Sequence, residues 1–526
     1  MEREPQVPMK LFRFTLLFAI SLPLAAQTSK SAAASGEVRA GHALEAAKKA
    51  GAPELYAFLK NFPKGADLHM HLSGAIYAET FLAEAAKENL CVDPEALVIV
   101  AAPCRKPVIP AGEAIANQKL YDKLIDAFSM RSFVPYAGWS GHDQFFDTFN
   151  RWDPLEKLAA GEWLDEVAIR AAAQNEQYLE IMQTPSFGHA ASLGYKIGWP
   201  RGSEQSVTSQ TLASLRDQLF AAGLRDEVSV DTKELADAKA KRDEIEHCAG
   251  HIAGSPAPAC AITIHWLYQI LRGFPPQQVF AQTLLGFEVA STDPDVVGLN
   301  FVMPEDGRLS MRDYHLQMQM LDYLHSVYPK VHITLHAGEL VFGMVPPAGT
   351  SFHIREAIEL AHAERIGHGD DVLYEDNASA LLKEMADKHI DVEINLTSND
   401  GILGIKGIDH PLHAYMAAHV PFSLSTDDEG VSRIDLTHEY VRAVEEQNLT
   451  YADLKYSARN SLEYSFLHGE SLYPRPGDYE HRAAACAAPI TANPSSTCSA
   501  FLSANEKAAQ QYELERRFFA FEAGVN

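Results

Sequence analysis

Eight short apolar runs, separated by longer amphipathic stretches, restrict the architecture of this chain more than anything else in it. They are ADLHMHL (66–72), QYLEIMQT (177–184), AITIHWL (261–267), VVGLNFV (296–302), VHITLHA (331–337), ERIGHG (364–369), IDVEINL (390–396) and VPFSLST (420–426). Helical patterns such as DGRLSMRDYHLQMQMLDYLHSVY and NASALLKEMADKHI lie between most of them. Strand and helix in alternation signal a parallel sheet, and eight such units predict an α/β fold closed into a (β/α)8 TIM barrel.

Such a barrel takes roughly 250 residues, whereas this one is expected over 63–470, so loops must be inserted. The clearest insertion is 187–258, polar and charge-rich, between the second and third strands; it reads as a solvated helical excursion. An Ala- and Ser-rich, then helical, leader (27–62) precedes the barrel, and a C-terminal loop with a closing helix (471–526) follows it.

The N-terminus has the parts of a secretory signal: Lys10 and Arg13, an apolar stretch from Phe14 to Leu24, then Ala25 and Ala26 before Gln27. Cleavage near Ala26 is expected, with export to the periplasm or beyond the cell. A membrane anchor would need about 20 apolar residues, more than this stretch supplies. Export changes how the six cysteines are read. They fall as three local pairs 12 or 13 residues apart, Cys91 and Cys104, Cys248 and Cys260, Cys486 and Cys498. Sequence alone does not fix the pairing, but near-neighbour disulfides are the simplest choice in an oxidising compartment, and there is no CxxC spacing to favour a zinc site.

The formal charge is −26, or −27 without residues 1–26, which carry three basic and two acidic groups. Such a surface repels phosphate backbones and anionic lipid, so no nucleic-acid partner and, after signal cleavage, no membrane partner is expected. A neutral small molecule fits better.

Chemistry in such a barrel gathers at the C-terminal mouths of its strands. His69 and His71 end the first run, two residues apart and so on one face of a strand. The fifth run ends in His336 followed by Ala-Gly-Glu339, the sixth in His368, and the eighth in Asp427 and Asp428. Three histidines and an aspartate suit zinc with one position open for water, whose pKa a bound divalent ion lowers to about 7. Glu339 is placed to protonate a substrate, and His368 to orient or deprotonate the water. One aspartate of the pair can bind the metal and the other the substrate; Asp428 could instead cap the following helix, and Glu339 could merely orient a ligand.

These residues sit in KGADLHMHLSGA, HAGE, RIGHGDD, EINLTSND and PFSLSTDDEGVS, which, with SARNSLEYSFL (457–467), resemble the successive motifs of the adenosine deaminase family. The resemblance spans about 63–467 without the insertion. The lead FPKGADLHMHL, the export signal and the extended loops look more like the secreted branch, the adenosine deaminase-related growth factors. The resemblance implies that His69, His71, His336 and Asp427 hold one Zn2+ per subunit. It also implies that Glu339 protonates purine N1, that His368 positions the hydroxide, and that Asp428 bonds purine N7. HDQFFDTF (142–149), with Phe146 and Phe149, resembles the hydrophobic helix that covers the base, although a core helix would look the same. The implied reaction is hydrolytic deamination of adenosine or 2'-deoxyadenosine at C6, giving inosine or 2'-deoxyinosine and ammonia.

Three positions depart from the family pattern. Ser73 stands where an Asp contacts the ribose, Asn300 replaces an acid in the fourth run, and Met303 replaces a Gly that lets the backbone approach purine N3; Glu305 keeps its acid. Metal chemistry is untouched by these changes and substrate identity is not. Two further readings therefore stand beside adenosine: the same chemistry on another 6-aminopurine such as adenine or a modified nucleoside, and a secreted binding or signalling protein without turnover. The sequence does not give the oligomeric state.

Overall fold

The structure, a computed structural model, describes residues 24–156, 158–203, 205–248 and 257–525. The expected signal segment therefore lies outside the described residues except for its last three positions, which open the helix Leu24–Ala50. Among the described residues the strands are β1 (Gly65–His71), β2 (Cys91–Asp93), β3 (Val98–Val100), β4 (Ile109–Pro110), β5 (Glu176–Gln183), β6 (Thr263–Leu271), β7 (Val296–Val302), β8 (His332–Ala337), β9 (Arg365–His368), β10 (Asp391–Ile394) and β11 (Phe422–Leu424).

Eight of these form one parallel sheet in the order β1-β5-β6-β7-β8-β9-β10-β11. The ring closes between its first and last members. Asp427 N–H donates to the His69 carbonyl (2.8 Å), and the Asp67 carboxylate accepts from both the backbone N–H and the hydroxyl of Thr426 (3.1 and 2.6 Å). All eight runs expected to be strands are strands, and the barrel is the expected one. The seven residues of β1 and of β7 are all buried, as parallel strands covered on both faces require.

Helices form the outer layer by helical periodicity. In Arg308–Val327, the buried Tyr314, Met318, Leu321 and Leu324 recur every three to four residues and face the sheet. A capping box, Ser140 with Asp143, starts the helix Gly141–Thr148 at the barrel mouth.

The sequence reading differs from the structure in three places. β6 runs to Leu271 rather than stopping at 267, because Tyr268 to Leu271 continue to pair with β7 although Gln269 interrupts the apolar run. The insertion is not a solvated excursion. Its helices Ser209–Ala221 and Val228–Ile245 bury Leu212, Leu215, Leu219 and Leu235, and the Tyr268 hydroxyl of β6 donates to the Asp231 carboxylate (2.7 Å). The sequence reading also did not include the small antiparallel sheet β3-β2-β4 that follows β1.

The cysteines pair as near neighbours, Cys91–Cys104, Cys248–Cys260 and Cys486–Cys498. The first bridge ties β2 to the loop before β4, and the third lies in a small core with Leu472, Tyr473 and Tyr512. The leader packs on the closing helix Glu506–Gly524, where Phe58 and Phe521 meet edge to face at 5.3 Å. Among the described residues no helix is long and apolar enough to cross a membrane.

Candidate active site

Alternation along β1 turns His69 and His71 to the same side, toward the barrel axis, and β8 brings His336 against them. His69 Nε2 lies 3.1 Å from His336 Nε2, and His71 Nε2 lies 3.3 Å from it. Asp427 Oδ1 is 3.2 Å from His71 Nε2 and 3.7 Å from His69 Nε2. One atom from each of the four lies within 4.8 Å of the others.

The far nitrogen of each imidazole faces an oxygen. His69 Nδ1 meets Glu393 Oε2 (2.6 Å), His71 Nδ1 meets Gln269 Oε1 (2.7 Å) and His336 Nδ1 meets Asn300 Oδ1 (2.9 Å). Each Nδ1 is thereby the proton donor, and the three Nε2 lone pairs point at one another. The Ser398 hydroxyl donates to Asp427 Oδ2 (2.6 Å), which leaves Oδ1 for the cluster. Nitrogens about 2.0–2.1 Å from one tetrahedral ion would stand about 3.3 Å apart, so the spacing fits a divalent metal.

The electrostatics agree with that fit. Burial opposes protonation of His71, yet the Asp428 and Asp427 carboxylates carry its pKa up to about 9. Burial, with the charges of His69 and His71, drives His336 far down. The pocket thus favours positive charge at this point but does not protonate all its imidazoles. Burial alone would raise Glu393, but Arg365 and His69 bring it down to about 2, so it is an ionised acceptor for His69.

Around the cluster stand groups that hold protons. Burial, reinforced by Asp427, Glu305 and Asp370, pushes the Glu339 carboxyl well above its usual range and so favours its protonated form. The two neighbouring aspartates are driven apart. Burial raises both, but His71, His368 and His69 favour the ionised form of Asp427, and its charge then adds to burial in lifting Asp428. Asp428 begins the short helix Glu429–Ser432 without a capping bond from its side chain, and its Oδ1 is buried without a hydrogen-bond partner. The capping role is therefore set aside. Gly74 makes room for this carboxyl, since a Cβ there would fall 1.4 Å from Asp428 Oδ1.

His368 is buried and neutral, its pKa pulled down to about 3 by burial against the opposing charge of Asp427. Asn399 Nδ2 donates to its Nδ1 (3.0 Å), so the ring carries its proton on Nε2, 3.9 Å from both Glu339 Oε1 and Asp427 Oδ2. His368 and Asp427 have φ values of 69° and 59°, left-handed backbone that few L-residues adopt, at the ends of β9 and β11. Glu305 does not reach into the cavity. It accepts from the backbone N–H groups of Gly338 and Glu339 (3.1 and 2.8 Å) and so fixes the turn that presents Glu339.

These groups open into a cavity of about 460 Å³. Ser73, Phe145, Phe146, Phe149, Phe187 and Met303 line it together with the polar groups of Thr184 and Gln269. Every residue expected at the site borders the cavity or, as with His69, the cluster beneath it. Sequence reasoning missed Gln269, Glu393, Ser398 and Asn399. Glu393, Ser398 and Asn399 all stand in the quoted EINLTSND, Glu393 within the seventh strand, and Gln269 fell beyond the strand end assigned at 267. It also missed Phe187, the first residue of the insertion. Met303 has φ 86° and lines the wall with its side chain lying over Gly273.

Three imidazoles and a carboxylate thus converge at the mouth of a closed parallel barrel, a donor set that could hold a divalent metal. Residues 218–472 match the family model described as adenosine deaminase. The adenosine deaminase of Clostridium perfringens (strain 13 / Type A) is 37% identical over 139 residues, 26% of this chain and 39% of that protein. That of Escherichia coli O157:H7 (strain EC4115 / EHEC) is 36% identical over 140 residues, again 26% of this chain and 39% of the relative. The chain thus spans about two fifths of the length of the curated relatives it matches. Among solved structures, the N6-mAMP deaminase of Arabidopsis is 22% identical with a TM-score of 0.49, covering 78% of this chain and 95% of that one.

Proposed function

We propose that this protein is an exported zinc-dependent aminohydrolase that converts adenosine or 2'-deoxyadenosine to the inosine counterpart and ammonia. The observation that carries this reading is the convergence of three oriented Nε2 atoms beside the buried Glu339 carboxyl. His69, His71, His336 and Asp427 would hold the zinc, which when bound supplies hydroxide at neutral pH by lowering the pKa of water.

The chain's own groups supply the rest. His368 presents an N–H to the attacking oxygen and holds it in line. Glu339 gives its proton to a ring nitrogen as the ring loses aromaticity, and Asp428, whose pKa burial and Asp427 likewise raise, donates to a second ring nitrogen. An adenine ring offers acceptors on both sides of C6, which matches two donor carboxyls in one cavity. The rings of Phe145, Phe146 and Phe149 keep water from the base.

The cavity wall favours a nucleoside over a nucleotide. Among the described residues no Lys or Arg lines it, whereas Glu156, Glu339, Asp427 and Asp428 do. A phosphate there would find no cation among these lining residues to pair with and would stand near Glu156. Ser73, Asn150, Thr184 and Gln269 are neutral partners for sugar hydroxyls. Ser73 and Met303 also support a second reading, the same chemistry on adenine or a modified nucleoside. The three disulfides support export, since such bridges persist in oxidising compartments.

The test is ammonia release by the zinc-loaded protein from adenosine, 2'-deoxyadenosine, adenine and AMP. Turnover of the two nucleosides well above AMP and adenine is expected. Preference for AMP, or no release from any of the four, would overturn the proposal. Cell fractionation tests export separately.

A further inference from the structure

A second cluster of metal-ligating side chains lies at the other end of the barrel. His265 is the third residue of β6, four residues before Gln269 and therefore about 13 Å below the mouth. Its Nε2 lies 3.2 and 3.3 Å from the two carboxylate oxygens of Glu506, the first residue of the closing helix Glu506–Gly524. The His468 ring, from the loop that leads out of the barrel, meets it edge to face at 5.5 Å. One atom each from His265, His468 and Glu506 lies within 4.8 Å of the other two.

The hydrogen bonds around this cluster assign its lone pairs. His468 Nε2 lies 2.8 Å from the Pro294 carbonyl, which can only accept, so Nε2 carries the proton and Nδ1 the lone pair. His265 Nδ1 is buried, has no hydrogen-bond partner, and lies 3.5 Å from Asp295 Oδ1, itself tied to Lys239 Nζ at 2.8 Å. A carboxylate behind one imidazole nitrogen leaves the other for a cation, the arrangement found at the mouth for His69 and Glu393. His265 is 6% exposed, while His468 is at the surface and gives an ion a way in.

Burial opposes protonation of His265, while Asp295 and Glu506 raise its pKa to about 9, so a cation there displaces a proton. The groups facing it from the packed elements are Asp295, Glu506, Lys239 and His468.

We propose that His265, His468 and Glu506 form a second divalent-metal site, suited to zinc, on the floor of the barrel. Imidazole and carboxylate together are zinc-type donors, and three protein ligands leave room for water. The ion would join β6, the loop at 468 and the closing helix, elements already linked by the Lys507 N–H to His468 carbonyl bond (2.9 Å). It would hold the C-terminal segment on the barrel without touching the reaction.

The test is zinc content per chain after equilibration with zinc and dialysis, for the full-length protein, His468→Ala and Glu506→Gln, with zinc-induced thermal stabilisation measured alongside. Each variant is expected to hold one ion fewer than the parent and to lose part of the thermal shift. Turnover in the proposed reaction is expected to be unchanged. The difference in content reads the floor site alone, whatever the mouth binds. Equal zinc content in parent and variants would overturn the proposal and leave His265 as an ion-paired imidazolium.

Discussion

Gly74 and Asp428 compete for one volume: a methyl group on residue 74 would stand 1.4 Å from Asp428 Oδ1, 2.3 Å from its Cγ and 2.7 Å from its Cβ. No rotation of Asp428 about its last bond relieves a clash that reaches its Cβ. Gly74→Ala should therefore displace the Asp428 carboxyl from the cavity while leaving the histidine cluster intact. The loss of one buried hydrogen bond to substrate, about 1–3 kcal/mol, should raise KM for adenosine by about tenfold or more. Zinc content by metal analysis should not change, and Asp428→Ala should reproduce the kinetic effect.

Glu339→Gln keeps the volume and the backbone bond to Glu305 but removes the proton donor. Zinc content should match the parent, and kcat should fall by about 10²–10⁴. A variant with parental turnover would remove Glu339 from its role as the acid.

Gln269 touches the metal cluster only through His71 Nδ1 (2.7 Å), so it separates ligand orientation from ligand identity. Gln269→Ala should weaken zinc binding by about 10–100-fold, read by competition with a chelator. Unaltered affinity would mean that His71 is held by its packing alone.

Met303 holds a φ of 86° on the cavity wall, a conformation natural to glycine. In Met303→Gly, relief of backbone strain should offset the added flexibility of the unfolded chain, so stability should change by less than about 1 kcal/mol. The wall should open above Gly273. The kcat/KM advantage of adenosine over a bulkier substituted adenosine should narrow, and an unchanged ratio would exclude Met303 from substrate selection.

Asp231 offers a pH test remote from the cluster. Burial raises its carboxyl from 3.8 to about 7, although the Tyr268 hydroxyl bond works the other way. Between these values the folded protein keeps a proton that the unfolded chain releases, so this group's contribution to stability falls as pH rises from about 4 to 7. Asp231→Asn retains an acceptor for Tyr268 without the titration. Chemical denaturation should find the variant close to the parent at pH 4 and more stable at pH 8, by about 2–4 kcal/mol.

The barrel was legible because its strands are short runs rich in Leu, Ile and Val that alternate with amphipathic helices, even though buried polar residues such as His69, Asn300 and Glu393 stand among them. The same logic failed at Gln269, a polar residue in a strand, which is tolerated because His71 and Thr184 satisfy its amide. His69, His71, His336 and Asp427 were visible as chemistry-bearing residues at strand ends. Glu393 and Ser398 were not, because a buried carboxylate or hydroxyl gives no signal until its partner, about 30 to 320 residues away, is placed beside it. The burial of Leu212, Leu215 and Leu219 was hidden by the charged residues around them.

The seam between β1 and β11 has a consequence for synthesis. Asp67 meets Thr426 and His69 meets Asp427 across that seam, so three of the four converging side chains, His69, His71 and Asp427, lie on its two sides. A nascent chain released or cleaved before residue 427 has neither a finished barrel nor the Asp427 carboxylate. A polypeptide that stops short of residue 427 therefore cannot present the full four-donor set.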